Sequence, residues 1–243
     1  MPTLNKDIRV LIDEFDVSTD HRGGSVGFTT PALDTTTLQN TGRTLLPGPA
    51  EGTIELQAYW MGGNAGDIET KLRARFATAT EAVVSVLIDT TALGKPAYVM
   101  TAAAASAMKT EMPIGELLML SSSWADALER GLSLAHGTVS ATGGIGATGI
   151  DFATAGTAGG WAVLHVRTIT GTATSATITV QSSAAAAMTS PTTHGTFTFS
   201  AVGGTALTWS GATGRYIRLN CTSLGGATSF VVTGAAGVTG VTG

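Results

Sequence analysis

Charge is what this chain has least of: Asp, Glu, Lys and Arg make up 12% of its 243 residues, against roughly 25% in ordinary soluble domains. Its single cysteine, Cys221, excludes an intramolecular disulfide and a thiolate metal cluster. The four histidines, His21, His136, His165 and His194, show no HxH or HxxxH spacing, so a histidine metal site has no support. No apolar run approaches the ~20 residues that cross a bilayer as a helix. The first residues, Met-Pro-Thr-Leu-Asn-Lys-Asp, lack the basic-then-apolar pattern of an export leader. Cytoplasmic synthesis of a soluble chain without membrane insertion is therefore expected. The net charge of −4 gives no basis for general nucleic-acid affinity.

Thr, Ala, Ser and Gly fill the space that charges leave. A surface of hydroxyls and methyls is cheap to desolvate, which favours contacts between proteins. The charges are also uneven. Residues 1–135 hold 10 of the 13 basic and 16 of the 17 acidic residues, a net of −6, and residues 136–243 carry a net of +2. That asymmetry points to two domains.

Alternation dominates the pattern. Ile8, Val10 and Ile12 read as a strand that turns at Asp13-Glu14, and Phe15 and Val17 resume on a new phase. Val26 and Phe28 form a short strand. A polar, Thr-rich stretch to Thr44 leads into Pro47-Gly48-Pro49 and reads as a long loop. In Thr53–Trp60, Ile54, Leu56, Ala58 and Trp60 share one face, with Glu55 and Gln57 on the other. Asp67 caps the one convincing helix, whose stripe is Ile68, Leu72 and Phe76. Val83–Ile88 is apolar on both faces, as a buried strand is. Tyr98–Met100 and Leu117–Trp124 add strands, with alanines 102–105 ambiguous between helix and strand. After Ala135 come Gly-Ala-Thr repeats and then strands at Trp161–Arg167, Thr177–Gln181, Thr196–Ser200, Leu207–Trp209, Arg215–Cys221 and Phe230–Thr233, the pattern of a β-sandwich. The tail 234–243 reads as irregular. The expected fold is mostly β: an N-terminal barrel or sandwich domain with one helix (1–135), a Gly-rich linker (136–150) and a C-terminal β-sandwich (151–243).

Motifs with chemical meaning are weak. Gly144–Gly149 spells GxGxxG, but no helix follows to aim amides at a pyrophosphate. Gly23–Gly27 spells GxSxG, yet Phe28-Thr29-Thr30-Pro31 starts no helix, so it reads as a softened turn rather than a nucleophile elbow. His165 reads as a sheet-surface residue. Asp13, Glu14, Asp16 and Asp20 read as a solvated acidic face. Asn220-Cys221-Thr222 matches a glycosylation sequon inside an expected strand and is discounted. Trp161, Trp209 and Tyr216 read as core aromatics before sugar platforms. No constellation supports an enzyme, a cofactor or a catalytic, cofactor-binding or metal site.

The run Gly27-Phe28-Thr29-Thr30-Pro31-Ala32-Leu33-Asp34-Thr35-Thr36-Thr37-Leu38 resembles the early strand and loop of tail tube (major tail) proteins of long-tailed bacteriophages. Pro47-Gly48, the strand Thr53–Trp60, the helix Asp67–Ala77 and the later strands follow in that family's order, and the resemblance covers roughly residues 5–135. The loop Gln39–Arg43 is less charged than the family's. The Gly-Thr-rich half is similar to an added immunoglobulin-like sandwich. Arg215–Leu219 also resembles a strand of discoidin-type glycan-binding domains.

The resemblance implies a structural virion protein. Its subunits form hexameric rings that stack into a tube through which DNA reaches the host, with transient passage and no specific binding of DNA. Partners would be further copies of the chain and the terminator, tape-measure and baseplate proteins. The protein would be made in the host cytoplasm and reside in the virion tail. The loop 35–50, with Thr35, Leu38, Asn40, Arg43 and Leu45, would reach the next ring, and Glu55 and Gln57 would face the lumen or a second sheet. The alternative expectation is a decoration or adhesin protein whose C-terminal sandwich binds host-surface glycan.

Overall fold

The computed structural model describes residues 7–19, 21–30, 32–34, 45–47, 51–60, 67–78, 81–90, 92–112 and 117–239. These are mostly β, with one helix. The order begins β1 (Arg9–Ile12), β2 (Phe15–Asp16), β3 (His21–Thr29), β4 (Ala32–Asp34), β5 (Leu45–Pro47), β6 (Glu51–Tyr59) and α1 (Ile68–Thr78). It continues with β7 (Ala82–Leu87), β8 (Pro96–Glu111), β9 (Met119–Asp126), β10 (Leu128–Val139) and β11 (Gly143–Asp151). It ends with β12 (Gly160–Gly171), β13 (Ala176–Ser183), β14 (Thr192–Phe199), β15 (Gly203–Trp209), β16 (Tyr216–Ser223) and β17 (Ala227–Val238). Two compact units arise: Met1–Asp20 with Ala82–Thr101 and Glu129–Gly243, and His21–Glu81 with Ala102–Leu128.

In the first unit one sheet runs β15-β12-β17-β10-β8-β7-β1-β2, and a second runs β11-β16-β13-β14. The reason for its shape lies in β12, whose residues 160–166 are buried on both faces. Ala162, Leu164 and Val166 join Ile178, Val180, Ile217, Leu219 and Phe230 in the core between the two sheets. Trp161 and Val163 turn the other way, onto Leu11, Val83, Leu87 and Val99. The long sheet therefore rolls until β15 lies against β7.

Two sequence expectations change here. Residues 136–150, expected as a linker, form the end of β10 and most of β11, whose Ile145 and Ile150 pack on the core. A register shift between them hides the alternation. The tail, expected to be irregular, continues as β17 to Val238, paired with β12 on one side and β10 on the other. Its small residues are a packing requirement: a Cβ at Gly237 would meet the Trp161 indole at 2.5 Å.

The second unit is an antiparallel sheet β3-β6-β9-β8, the last strand contributing residues 102–111. Alanines 102–105 are thus strand, because tertiary pairing overrides alanine's helix preference. Strand β6 alternates strictly, with Gly52, Ile54, Leu56 and Ala58 buried and Glu51, Thr53, Glu55, Gln57 and Tyr59 exposed. Helix α1 has no Gly or Pro and carries a Glu69–Arg73 ion pair one turn apart. Its Ile68 and Leu72 are buried, and Phe76 meets Trp124 edge-on with ring centroids 5.7 Å apart. Such a pair adds about 0.5–1.5 kcal/mol beyond the area it buries. Trp124 sits opposite Ile54, so α1 packs on the apolar face of the sheet. Strands β4 and β5 pair antiparallel as a separate two-stranded sheet.

Candidate functional site

Period-two alternation leaves the second unit's sheet with one face uncovered by α1. Its rows follow from the register. Ser25, Glu55 and Ser123 stand side by side, as do Gly23, Gln57 and Ser121. On β8 Lys109 extends the Gln57 row, and Glu111 stands beside Met119 in the Tyr59 row. Most of these side chains are short, and the charged ones are tied down. Ser25 Oγ donates to Glu55 Oε2 at 3.1 Å, and Lys109 Nζ lies 2.8 Å from Glu111 Oε1. Sequence placed Glu55 and Gln57 on this face, and there they are.

Two borders of this sheet have no further described strand beside them. Among the described strands β3 has a neighbour on one side, β6, and the 102–111 half of β8 has β9. An open edge is a row of backbone donors and acceptors ready for another strand. The segment Gly23–Gly27, expected as a turn around a GxSxG pattern, lies inside β3 and forms this border. The missed signal was Gly23, Ser25, Gly27 and Thr29, a small-residue face at period two.

One end of the sheet is apolar. Tyr59 on this face, and Trp60, Met112 and Leu117 just beyond the strand ends, are exposed large hydrophobics. Beside them is a groove of about 520 Å³ lined by Arg22, Gln57, Glu111, Met112, Met119, Leu120 and Ser121. The Arg22 guanidinium lies 5.5 Å from the Tyr59 ring centroid, and its Nη1 donates to Met119 Sδ at 3.4 Å. Of the expected stacking-loop residues, Thr35, Leu38, Asn40 and Arg43 lie outside the described residues, and Leu45 opens β5.

The first unit holds a buried polar cluster that sequence misread as surface. His165 is 1% exposed. Its Nδ1–H donates to the Asp13 carbonyl at 2.7 Å, and its Nε2 accepts from Ser85 Oγ at 2.7 Å. Burial holds its pKa down at about 4, so the ring stays neutral. A serine–histidine pair oriented by a third group is the geometry of an activated nucleophile. Ser85 is also only 1% exposed, so a substrate does not reach it. The pair fastens β12 to β7 and to the β1–β2 turn. That turn is fixed further by Asp13 Oδ1, which accepts from Val83 N at 2.9 Å.

The acidic cluster is expected to be solvated, but Asp13 is buried, and Asp16 accepts from Arg167 Nη1 at 2.8 Å and pairs with Arg9 at 3.6 Å; Asp20 lies outside the described residues. Arg167 Nε is buried without an acceptor among the described residues. Arg9 Nη1 donates to His136 Nδ1 at 2.8 Å. Burial and the Arg9 charge both push the His136 pKa down.

The remaining motifs lose their chemistry in place. Gly144–Gly149 lies within β11, with no helix after it, and Asn220–Thr222 lies within β16. Trp161 is core, whereas Trp209 is partly exposed, stacked on His194 at 5.1 Å. Among the described residues, no three His, Cys, Asp or Glu side chains are grouped to hold a metal ion. No helix there is long and apolar enough to cross a membrane.

No protein-family model matches the chain, and no curated protein matches it. Solved structures with a similar chain are known. A chain of the virion of a native gene transfer agent particle is 14% identical, with TM-score 0.41, covering 53% of this chain and 98% of that one. The SPP1 tail tube, also 14% identical with TM-score 0.41, covers 53% of this chain and 78% of that one. A sheath/tube terminator structure of an extracellular contractile injection system is 10% identical, with TM-score 0.42, covering 54% of this chain and 96% of that one. Each likeness spans about half of this chain at a TM-score below 0.5, so none of them fixes a function.

Proposed function

We propose that this protein is a structural subunit that joins edge to edge with copies of itself into a ring, the repeating unit of a virion tail tube. The observation that carries the reading is the β3-β6-β9-β8 sheet, with one apolar face covered by α1 and, among the described strands, no further neighbour at β3 or at the 102–111 half of β8. A strand border left open on each side is a hazard unless something pairs with it. Pairing β3 of one copy with β8 of the next uses both borders at once. Such a head-to-tail contact repeats, and it closes into a ring when the rotation fits. The uncovered face then lines the inside of the ring. Six copies per ring, stacking of rings and passage of DNA come from the likeness of the residue 27–38 run to tail tube proteins and belong to the same proposal. So do the terminator, tape-measure and baseplate partners, residence in the virion tail, and the stacking role of the loop 35–50. The sandwich of the first unit is read as the part added to the tube fold.

Electron microscopy of the purified protein across a concentration series tests this. Hollow rings or stacked tubes are expected as concentration rises. A particle that stays monomeric at every concentration, alone and after addition of preformed tail-tip complex, overturns it.

A further inference from the structure

The sheet β11-β16-β13-β14 has a core face and an outer face. Ile178, Val180, Ile217, Leu219 and Cys221 point inward, each at most 1% exposed. Gln181, Arg218 and Asn220 alternate with them on the outer side and are half-buried, and Thr179 beside them is buried. The register sets Gln181 beside Arg218, and Thr196, Thr179, Asn220 and Gly144 in one row.

Two groups on this face are only partly used among the described residues. Arg218 donates through Nε and Nη2 to Gln181 Oε1, at 3.1 and 3.0 Å, and meets no carboxylate among the described residues. A buried cation would be costly unpaired, but this one is partly exposed and simply held in place by a neutral amide. The single acid of residues 136–243, Asp151, is taken by Arg215 through two contacts of 2.7 Å. Asn220 lends its carbonyl to Thr179 at 3.3 Å, while its carboxamide bonds no described residue. Gly144 leaves room beside them: a Cβ there would approach Arg218 Nη1 to 3.1 Å.

We propose that this outer face binds a polysaccharide carrying carboxylate sugars, with Arg218 on the carboxylate and Asn220 and Gln181 on the ring hydroxyls. Charge complementarity selects the occupant. A guanidinium whose position is fixed by a neutral partner presents a planar fork suited to a carboxylate. One cation among hydroxyls and amides is too few for a nucleic-acid backbone, which is held by many. Gln181, Arg218 and Asn220 are spread over two adjacent strands, which fits a chain rather than a small molecule. A single charge pair gives weak binding, and repetition of the face along an assembly raises it through effective concentration. That amplification rests on the ring reading; the binding itself does not.

The test is retention of the full chain on immobilised polygalacturonate. Fully methyl-esterified polygalacturonate, with the same backbone and no charge, and polyglutamate, with the charge and no sugar, are the controls. Expected are retention on polygalacturonate that is at least tenfold weaker on both controls, and a loss of at least tenfold in R218A. R218K keeps the charge without the fork and should fall between. N220A should lose several-fold, and circular dichroism should report all three variants folded. Equal retention on polyglutamate, an R218A variant that binds as well as the parent, or no retention overturns the proposal. Microscopy of the same samples separates the two readings: rings that ignore the polymer sink this one, and protein that binds it yet stays monomeric even with tail-tip complex sinks the other.

Discussion

At the scale of single residues, His165 shows how this fold hides polar groups. The imidazole is spent twice, on the Asp13 carbonyl and on Ser85 Oγ, and a proton on it must be carried in a site without water. The ordinary histidine pKa of 6.5 falls to about 4 there, chiefly through burial. The unfolded chain therefore binds a proton between pH 6.5 and 4 that the folded chain refuses. Stability is full above pH 6.5, declines as pH falls through that window, and levels off below 4. At about 1.4 kcal/mol per unit, the share due to His165 is roughly 3 kcal/mol. Urea unfolding at pH 7.5, 5.5 and 4.5 checks this. His165→Gln is expected to be less stable than the parent at pH 7.5, yet to lose about 3 kcal/mol less on acidification. Parallel pH curves for the two proteins would remove His165 from the account.

At the scale of elements, the second unit's sheet makes a separate statement about β3. In an edge strand, successive N–H groups point alternately toward the neighbouring strand and away from it. Proline at Ser25 and proline at Val26 thus remove one donor that faces β6 and one that faces outward. Edge positions tolerate proline where the outward N–H is lost. One variant is expected to unfold the sheet; the other should keep the parent's circular dichroism and melting temperature and fail to form rings. Two folded variants that both assemble would show that β3 does not mediate the contact. Elements of this kind were legible in the sequence where one face is buried and the other wet: β6 and α1 appear within a residue or two of the positions that alternation and the Ile68–Leu72–Phe76 stripe assign. They were illegible where both faces are buried or where glycine replaces the side chain that carries the pattern. The roll of the sheet, which buries His165 and Trp161 on the second face of β12, depends on contacts between residues more than 70 apart in sequence. Nothing local announces it. Gly149 of β11 and Gly234 and Gly237 of β17 erase alternation for the same reason they are needed, close approach of another side chain. The candidate site divides the same way: Glu55 and Gln57 follow from β6 alone, whereas Arg22, Met119 and Glu111 meet them only through pairing.

For the whole molecule, the ring reading gives the uncovered face of β3-β6-β9-β8 a task that depends on its charge. A conduit for DNA must not hold phosphates. Glu51, Glu55 and Glu111 stand on this face with Lys109 and Arg22, so the two signs nearly cancel, with a slight acidic excess, and the hydroxyls between them are neutral. Each copy repeats the same rows around the ring, so a change at one residue is multiplied by the number of subunits. Replacing Glu55 and Gln57 with lysine (E55K/Q57K) moves the face by three charges per copy and turns a near-neutral wall into a cationic one. Both side chains are solvent-exposed on a strand whose other face makes the core, so the fold and the ring should survive. Rings of the double variant are expected to retain double-stranded DNA in sedimentation at low salt and to release it as salt rises, in the linear log–log manner of counterion release. Parent rings should retain none. If parent and variant rings retain DNA equally, the lysines are not on the inner wall, and the face inside the ring is a different one.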